Sequence, residues 1–147
     1  SSNTFTGVYT EIFNGSDIVK ISRLSKHVVG LKEVDSFITK CFSEDEISYC
    51  LNKSNTNIKP IIQSFAGKFA CKEAASKALG TGICSEGIGL KDFEIENDDK
   101  GAPSLILHDR ALEQASRLGI TSISISISHE EDYAFASCVM LSEECEI

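Results

Sequence analysis

Ile61-Ile62-Gln63-Ser64-Phe65-Ala66-Gly67-Lys68-Phe69-Ala70-Cys71-Lys72-Glu73-Ala74-Ala75-Ser76-Lys77-Ala78-Leu79-Gly80 is the stretch on which the fold turns. It is the longest helical candidate in the chain and reads as a helix from Ile61 to Leu79. Ala70, Ala74 and Ala78 recur on one stripe, so another element can approach closely there. Gly80 follows the last periodic residue, where a left-handed C-terminal cap is expected. Before the helix, the polar stretch Lys53 to Lys59 ends at Pro60 and reads as a loop.

Elements on either side follow from period and punctuation. Val8 to Phe13 reads as a strand stopped by the turn signal Asn14-Gly15. Ile18, Ile21 and Leu24 lie at helical spacing, which predicts a helix from Ile18 to about Val29 with Gly30 interrupting it. Val34 to Phe42 reads as a second short helix. Ser43 with Glu46 forms a capping box, which predicts a helix from Glu44 to about Asn52. Downstream, Gly87 and Gly89 mark a loop. Phe93 and Ile95, then Leu105 and Leu107, predict two strands joined across Asn97-Asp98-Asp99-Lys100-Gly101. A helix from Ala111 to Leu118 is closed by Gly119. Ser122 to Ser128 alternates Ser and Ile, a half-buried strand of period two, and Tyr133 to Leu141 is a last strand. The expected fold is α+β, one domain over residues 1–147, with a mainly antiparallel sheet packed against a long helix.

Composition narrows the function. The chain has 147 residues, enough for one real core. Its net charge of −8 excludes a generic nucleic-acid binder, and no apolar run is long enough to span a bilayer. Cys41, Cys50, Cys71, Cys84, Cys138 and Cys145 include no Cys-x-x-Cys pair, and several lie in apolar stretches, so buried reduced thiols are expected rather than zinc or a disulfide framework. A cytoplasmic location is expected, or an organelle lumen if a targeting peptide has been removed. Against the acidic background, Ile18 to Lys32 carries Lys20, Arg23, Lys26 and Lys32 with no acid, which points to a specific anionic partner or to a solvated face.

Three groups could carry chemistry. Asp17 is placed at the start of the first predicted helix, Glu73 and Lys77 lie four apart on one helical face, and His129 ends the Ser/Ile strand. Taken singly, each has an ordinary reading: an N-cap, a weak surface ion pair and a turn histidine.

The surrounding words change that. Phe65-Ala66-Gly67-Lys68-Phe69-Ala70-Cys71-Lys72-Glu73-Ala74-Ala75-Ser76-Lys77-Ala78-Leu79-Gly80-Thr81-Gly82 closely resembles the signature of holo-acyl carrier protein synthases, the small trimeric type of 4′-phosphopantetheinyl transferase. Gly15-Ser16-Asp17-Ile18-Val19-Lys20-Ile21-Ser22-Arg23 resembles the N-terminal motif of that family. Phe42-Ser43-x-x-Glu46-x-x-Tyr49-Cys50 and Ser126-Ile127-Ser128-His129 match two further segments, in family order from about Val8 to Leu141.

The resemblance implies a phosphopantetheinyl transferase fold and transfer of 4′-phosphopantetheine from coenzyme A to a serine of apo-acyl carrier protein, leaving adenosine 3′,5′-bisphosphate. It implies Mg²⁺ held by Asp17 and Glu73, since a hard cation with oxygen ligands suits a pyrophosphate. It makes Glu73 the base, directly or through a metal-held water, and Lys77 the group that steadies the leaving phosphate. Lys68, Lys72, Gly80, Pro103 and His129 are implied to bind coenzyme A. Lys20, Arg23 and Lys26 are implied to dock the acidic carrier protein, and a homotrimer is implied with active sites shared between neighbours. The chain departs from the family at Lys68, where Arg is frequent, at Lys20, where Glu is usual, and at Ala102, where the hairpin usually has Lys. A carrier-binding module that has lost catalysis is the alternative, and intact Asp17, Glu73 and Lys77 argue against it. No Gly-x-x-x-x-Gly-Lys-Ser/Thr or Gly-x-Gly-x-x-Gly loop supports the common nucleotide folds.

Overall fold

The computed structural model describes residues 8–81 and 88–145. The loop expected at Gly87, with Gly82 and Cys84, lies outside the described residues. Strand β1 (Val8–Lys20) leads to helix α1 (Ser22–Ser25), the hairpin β2 (Val28–Gly30) and β3 (Glu33–Val34), and helices α2 (Ser36–Cys41) and α3 (Glu44–Leu51). The long helix α4 (Ile58–Leu79) follows, then β4 (Phe93–Asn97), β5 (Pro103–Leu107), α5 (Asp109–Leu118), β6 (Ile120–Glu130) and β7 (Tyr133–Cys145). The main sheet has the order β1-β7-β6 and is antiparallel throughout. β4 and β5 form a separate antiparallel hairpin. The expected α+β architecture is therefore what forms, with α4 laid across one face of the sheet.

Local chemistry explains the helix ends. Asn57 caps α4 by accepting from the Lys59 amide, and Gly80 closes it at φ 76°, in the left-handed region. Pro60 lies inside the first turn, where its missing N–H has no intrahelical partner to lose, so the helix starts earlier than the proline implied. The capping box of α3 forms as read, Ser43 accepting from the Glu46 amide and Glu46 from the Ser43 amide. Asp35 caps α2 through the Phe37 and Ile38 amides.

Two expectations near the N-terminus are corrected. Asn14-Gly15 makes no turn: β1 runs through both, paired with β7 from Val8↔Cys145 to Lys20↔Tyr133. Gly15 serves close approach instead, since a Cβ there would collide with the Ala74 carbonyl and lie 2.7 Å from the Ala78 amide nitrogen. The stripe of small residues on α4 is thus filled by the backbone of β1. The helix expected from Ile18 to Val29 is reduced to Ser22–Ser25, and Asp17 sits within a strand. Phe13, Gly15, Asp17 and Val19 face inward while Ile12, Asn14, Ser16, Ile18 and Lys20 face out. That period of two, with β-branched Ile18 and Val19, overrides the three helically spaced apolar residues.

The core lies between α4 and the sheet and extends under α2, α3 and the β4–β5 hairpin, with Phe42 edge-on to Phe65 at 5.2 Å. Each such fully buried side chain is worth about 1.5–3 kcal/mol. Burial pushes the Cys50 thiol up to about 11 and those of Cys71 and Cys138 to about 12, so these cysteines stay protonated and inert. The opposite face of the sheet is open. It exposes Ile12, Ile18, Tyr133, Phe135 and Val139, with Ile18 paired to Phe135 across the strands.

Candidate active site

Because Gly15 lets β1 lie against α4, the residue two positions on is delivered to the same helix face. Asp17 Oδ1 stands 3.1 Å from Lys77 Nζ, which also donates to the Ser16 carbonyl at 3.0 Å. Glu73, one turn before Lys77, is half-buried. Its carboxyl is held above the usual range, first by burial and then by the nearby Asp17 carboxylate, with Arg23 and Lys77 opposing. Two of the three groups singled out in the sequence, Asp17 and the Glu73–Lys77 pair, therefore meet where β1 crosses α4, while His129 lines a different hollow. Two neighbouring carboxylates are suited to a hard divalent cation that takes oxygen ligands and completes its shell with substrate phosphate and water. Among the described residues no set of three metal-ligating side chains occurs.

Lys68 lies on the other side of α4. It is nine positions before Lys77, about two and a half turns at 3.6 residues per turn. Its ammonium is buried, which lowers its pKa, and it donates to the Ile95 carbonyl at 3.3 Å and to Asn97 Oδ1. It sits 4.6 Å from the centre of the Tyr49 ring, whose centre is also 4.8 Å from Lys53 Nζ. With Pro103 and His129 these residues line a hollow of about 210 Å³. Lys53, Tyr49 and Asn97 are lining residues that sequence reasoning did not assign to coenzyme A. Lys53 and Asn97 stood in stretches read only as loop and turn, and no spacing connects them. A wider hollow of about 520 Å³ beside α1, lined by Lys20, Ile58 and Ile62 among others, lies away from the paired carboxylates, so volume alone does not mark the chemistry.

Lys72 departs from its expected place. Its side chain is fully buried, with Nζ 2.9 Å from Glu46 Oε1 and donating to the carbonyls of Leu90 and Phe93. Glu46 Oε2 in turn accepts from the Ile95 amide at 2.9 Å. All three ammonium protons are spent on the protein, so a coenzyme A contact at Lys72 is corrected to an internal pin joining α3, α4 and β4. Gly80 is exposed at the end of α4 and brings no side chain to either cluster. The basic trio is also rearranged. Arg23 is on α1 and lies 5.6 Å from the Phe69 ring centre, Lys26 caps the same helix, but Lys20 is on the outer side of β1 opposite Tyr133. Lys20 and Arg23 do not share a helix face.

One further polar row was not foreseen. Glu94 accepts from the Ser43 hydroxyl at 2.7 Å and pairs with His108 Nε2 at 2.9 Å, and both hold its carboxyl below the usual range. The carboxylate sits between the serine and the histidine, so the row lacks the serine–histidine contact of a hydrolytic triad.

The 4′-phosphopantetheinyl transferase superfamily pattern matches residues 14–138. The holo-[acyl-carrier-protein] synthase of Caldicellulosiruptor saccharolyticus is 42% identical over 134 residues, 90% of this chain and 99% of the relative. Among solved structures, the Helicobacter pylori holo-[acyl-carrier-protein] synthase in complex with coenzyme A aligns at TM-score 0.69 and 36% identity, covering 86% of this chain and 98% of that one. The holo-ACP-synthase of Plasmodium yoelii aligns at TM-score 0.71 and 28% identity over 91% of this chain and 98% of that one. With the carboxylate pair, its lysine and the antiparallel fold already in place, the chain belongs to the 4′-phosphopantetheinyl transferase superfamily, among the holo-[acyl-carrier-protein] synthases.

Proposed function

We propose that this protein transfers the 4′-phosphopantetheine group of coenzyme A to a serine of an apo-acyl carrier protein, with adenosine 3′,5′-bisphosphate as the other product. The observation that carries this is the meeting of Asp17, Glu73 and Lys77 at the β1–α4 crossing. The serine oxygen forms a bond to the phosphorus next to the pantetheine, and the phosphoanhydride bond to the nucleotide breaks. Glu73 takes the serine proton, directly or through a water, and Lys77 steadies the charge on the leaving phosphate. Asp17 and Glu73 would hold Mg²⁺, which when bound supplies charge neutralisation for the pyrophosphate. Lys68 and His129, with Pro103 beside them, suit the nucleotide end of coenzyme A.

We infer further that the protein works as a homotrimer. The carboxylate site and the Lys68–His129 hollow lie on opposite sides of α4, one served by β1 and the other by β6, the two edges of the sheet. Neither half offers a nucleotide substrate enough wall. Copies packed through the exposed apolar sheet face would bring the His129 edge of one chain to the Asp17 edge of the next. The protonated buried thiols suit a reducing compartment such as the cytoplasm, and no helix among the described residues is long and apolar enough to cross a membrane. Incubation with apo-acyl carrier protein, coenzyme A and Mg²⁺, followed by mass spectrometry of the carrier, tests the activity. A gain of one phosphopantetheine is expected, and binding without any gain would favour a carrier-binding module instead.

A further inference from the structure

Arg23 is a long, exposed side chain on a helix of only four residues, Ser22–Ser25. Among the described residues it takes part in no ion pair. Its guanidinium is nevertheless placed, 5.6 Å from the centre of the Phe69 ring, within the roughly 6 Å over which a cation is drawn to an aromatic face. Phe69 is almost fully buried on α4, one turn before Glu73, so the ring cannot wander. It is also braced. Phe37 packs at a tilt against it at 6.1 Å, His27 stacks on Phe37 at 4.2 Å, and His27 Nδ1 is 2.7 Å from Asp35 Oδ2, the cap of α2.

We propose that Phe69 is a positioning residue for transfer, a fixed platform that holds Arg23 over α4 beside Glu73 so that docking of the acidic carrier and delivery of its serine occur in one register. This rests on the transferase reading above. The chemistry favours a ring over a carboxylate as the holder. A guanidinium resting on a π-face keeps its in-plane N–H donors free for an incoming carboxylate, whereas an intramolecular ion pair would spend them. The arrangement also explains how an arginine that forms no ion pair among the described residues can present a defined geometry to another protein.

The test weakens the ring's attraction for a cation without changing its shape. Phenylalanines carrying one, two, three and five fluorine atoms are installed at position 69, with circular dichroism and thermal melting to verify the fold. The KM for apo-acyl carrier protein should rise stepwise, reaching several-fold, while the KM for coenzyme A stays level. In an Arg23→Gln background the same series should be flat, since the group being positioned is gone. A flat series in the unaltered background, an equal slope in the Arg23→Gln background, or parallel losses for coenzyme A would overturn the inference. If the unsubstituted protein loads no carrier at all, the transferase reading fails by itself. The series is then read as affinity for apo-acyl carrier protein by titration calorimetry, where a flat result still overturns the role of Phe69.

Discussion

Gly15 meets Ala74 with no room for a side chain: a methyl group on the glycine would run into the alanine's carbonyl oxygen and lie 2.8 Å from Lys77 Cβ. This contact seats β1 on α4 and thereby sets Asp17 beside Lys77 and Glu73.

Gly15→Ala should therefore damage stability and activity together. Overpacking of a fitted interior costs about 1–3 kcal/mol. At roughly 3 °C per kcal/mol for a chain of this size, the thermal midpoint should fall by several degrees. A midpoint within one degree of the unaltered protein would mean the strand can slide without harm.

Asp17→Ala and Glu73→Ala should each leave the protein folded and lower transfer by about 10²-fold or more, which for Glu73 is the lower range for loss of a positioned proton acceptor. Carrier loading followed by mass spectrometry is the measurement. Near-normal turnover in Mg²⁺ by either folded variant would remove that residue from the site.

Lys72→Met should act on stability before chemistry. Removing one member of a buried ion pair strands the other, at a cost of about 3–5 kcal/mol, and Glu46 would be left in an apolar setting with only amide donors. Urea unfolding reads the loss directly. A stable Lys72→Met variant whose sole defect is a raised KM for coenzyme A would return Lys72 to the substrate.

Arg23→Glu should weaken the carrier far more than coenzyme A. Exposed charge contacts are each worth on the order of 1 kcal/mol or less, and a reversal adds repulsion. Added salt should reproduce part of the defect in the unaltered protein. Kinetics with each substrate varied in turn decide it, and equal losses for both would reduce the basic segment to a solvated face.

Phe135→Glu should break assembly. Phe135 and Ile18 are neighbours on the open sheet face, and a carboxylate placed there cannot be buried without a partner. Light scattering should report trimers for the unaltered protein and smaller, inactive species for the variant. A monomer with full activity in the unaltered protein contradicts the shared site.

The readings that survived were those with a local physical cause. The Ser43–Glu46 capping box, the Gly80 and Gly119 helix stops, the β4–β5 hairpin and the Ser/Ile strand each depend on residues within a few positions of one another. Glu73 and Lys77 were legible as a pair because helix geometry puts residues four apart on one face. The segment around Asp17 was misread because its signals were balanced. Asn14-Gly15 satisfies the rules for a turn, and only the close passage of α4 shows that the glycine is there for lack of a side chain.

Long-range pairing was beyond local rules altogether. Lys68, Lys72 and Lys77 are three lysines on one helix, and their residue types are identical. Composition and periodicity determined that the helix exists, where it stops and that these three cations lie on it. What separates them is what each direction of the helix meets: Lys68 faces the Tyr49 and His129 hollow, Lys72 an internal carboxylate, and Lys77 the aspartate of β1. The fate of a charge depends on the dielectric and the partners around it, and those are supplied by strands and helices tens of positions away in the chain.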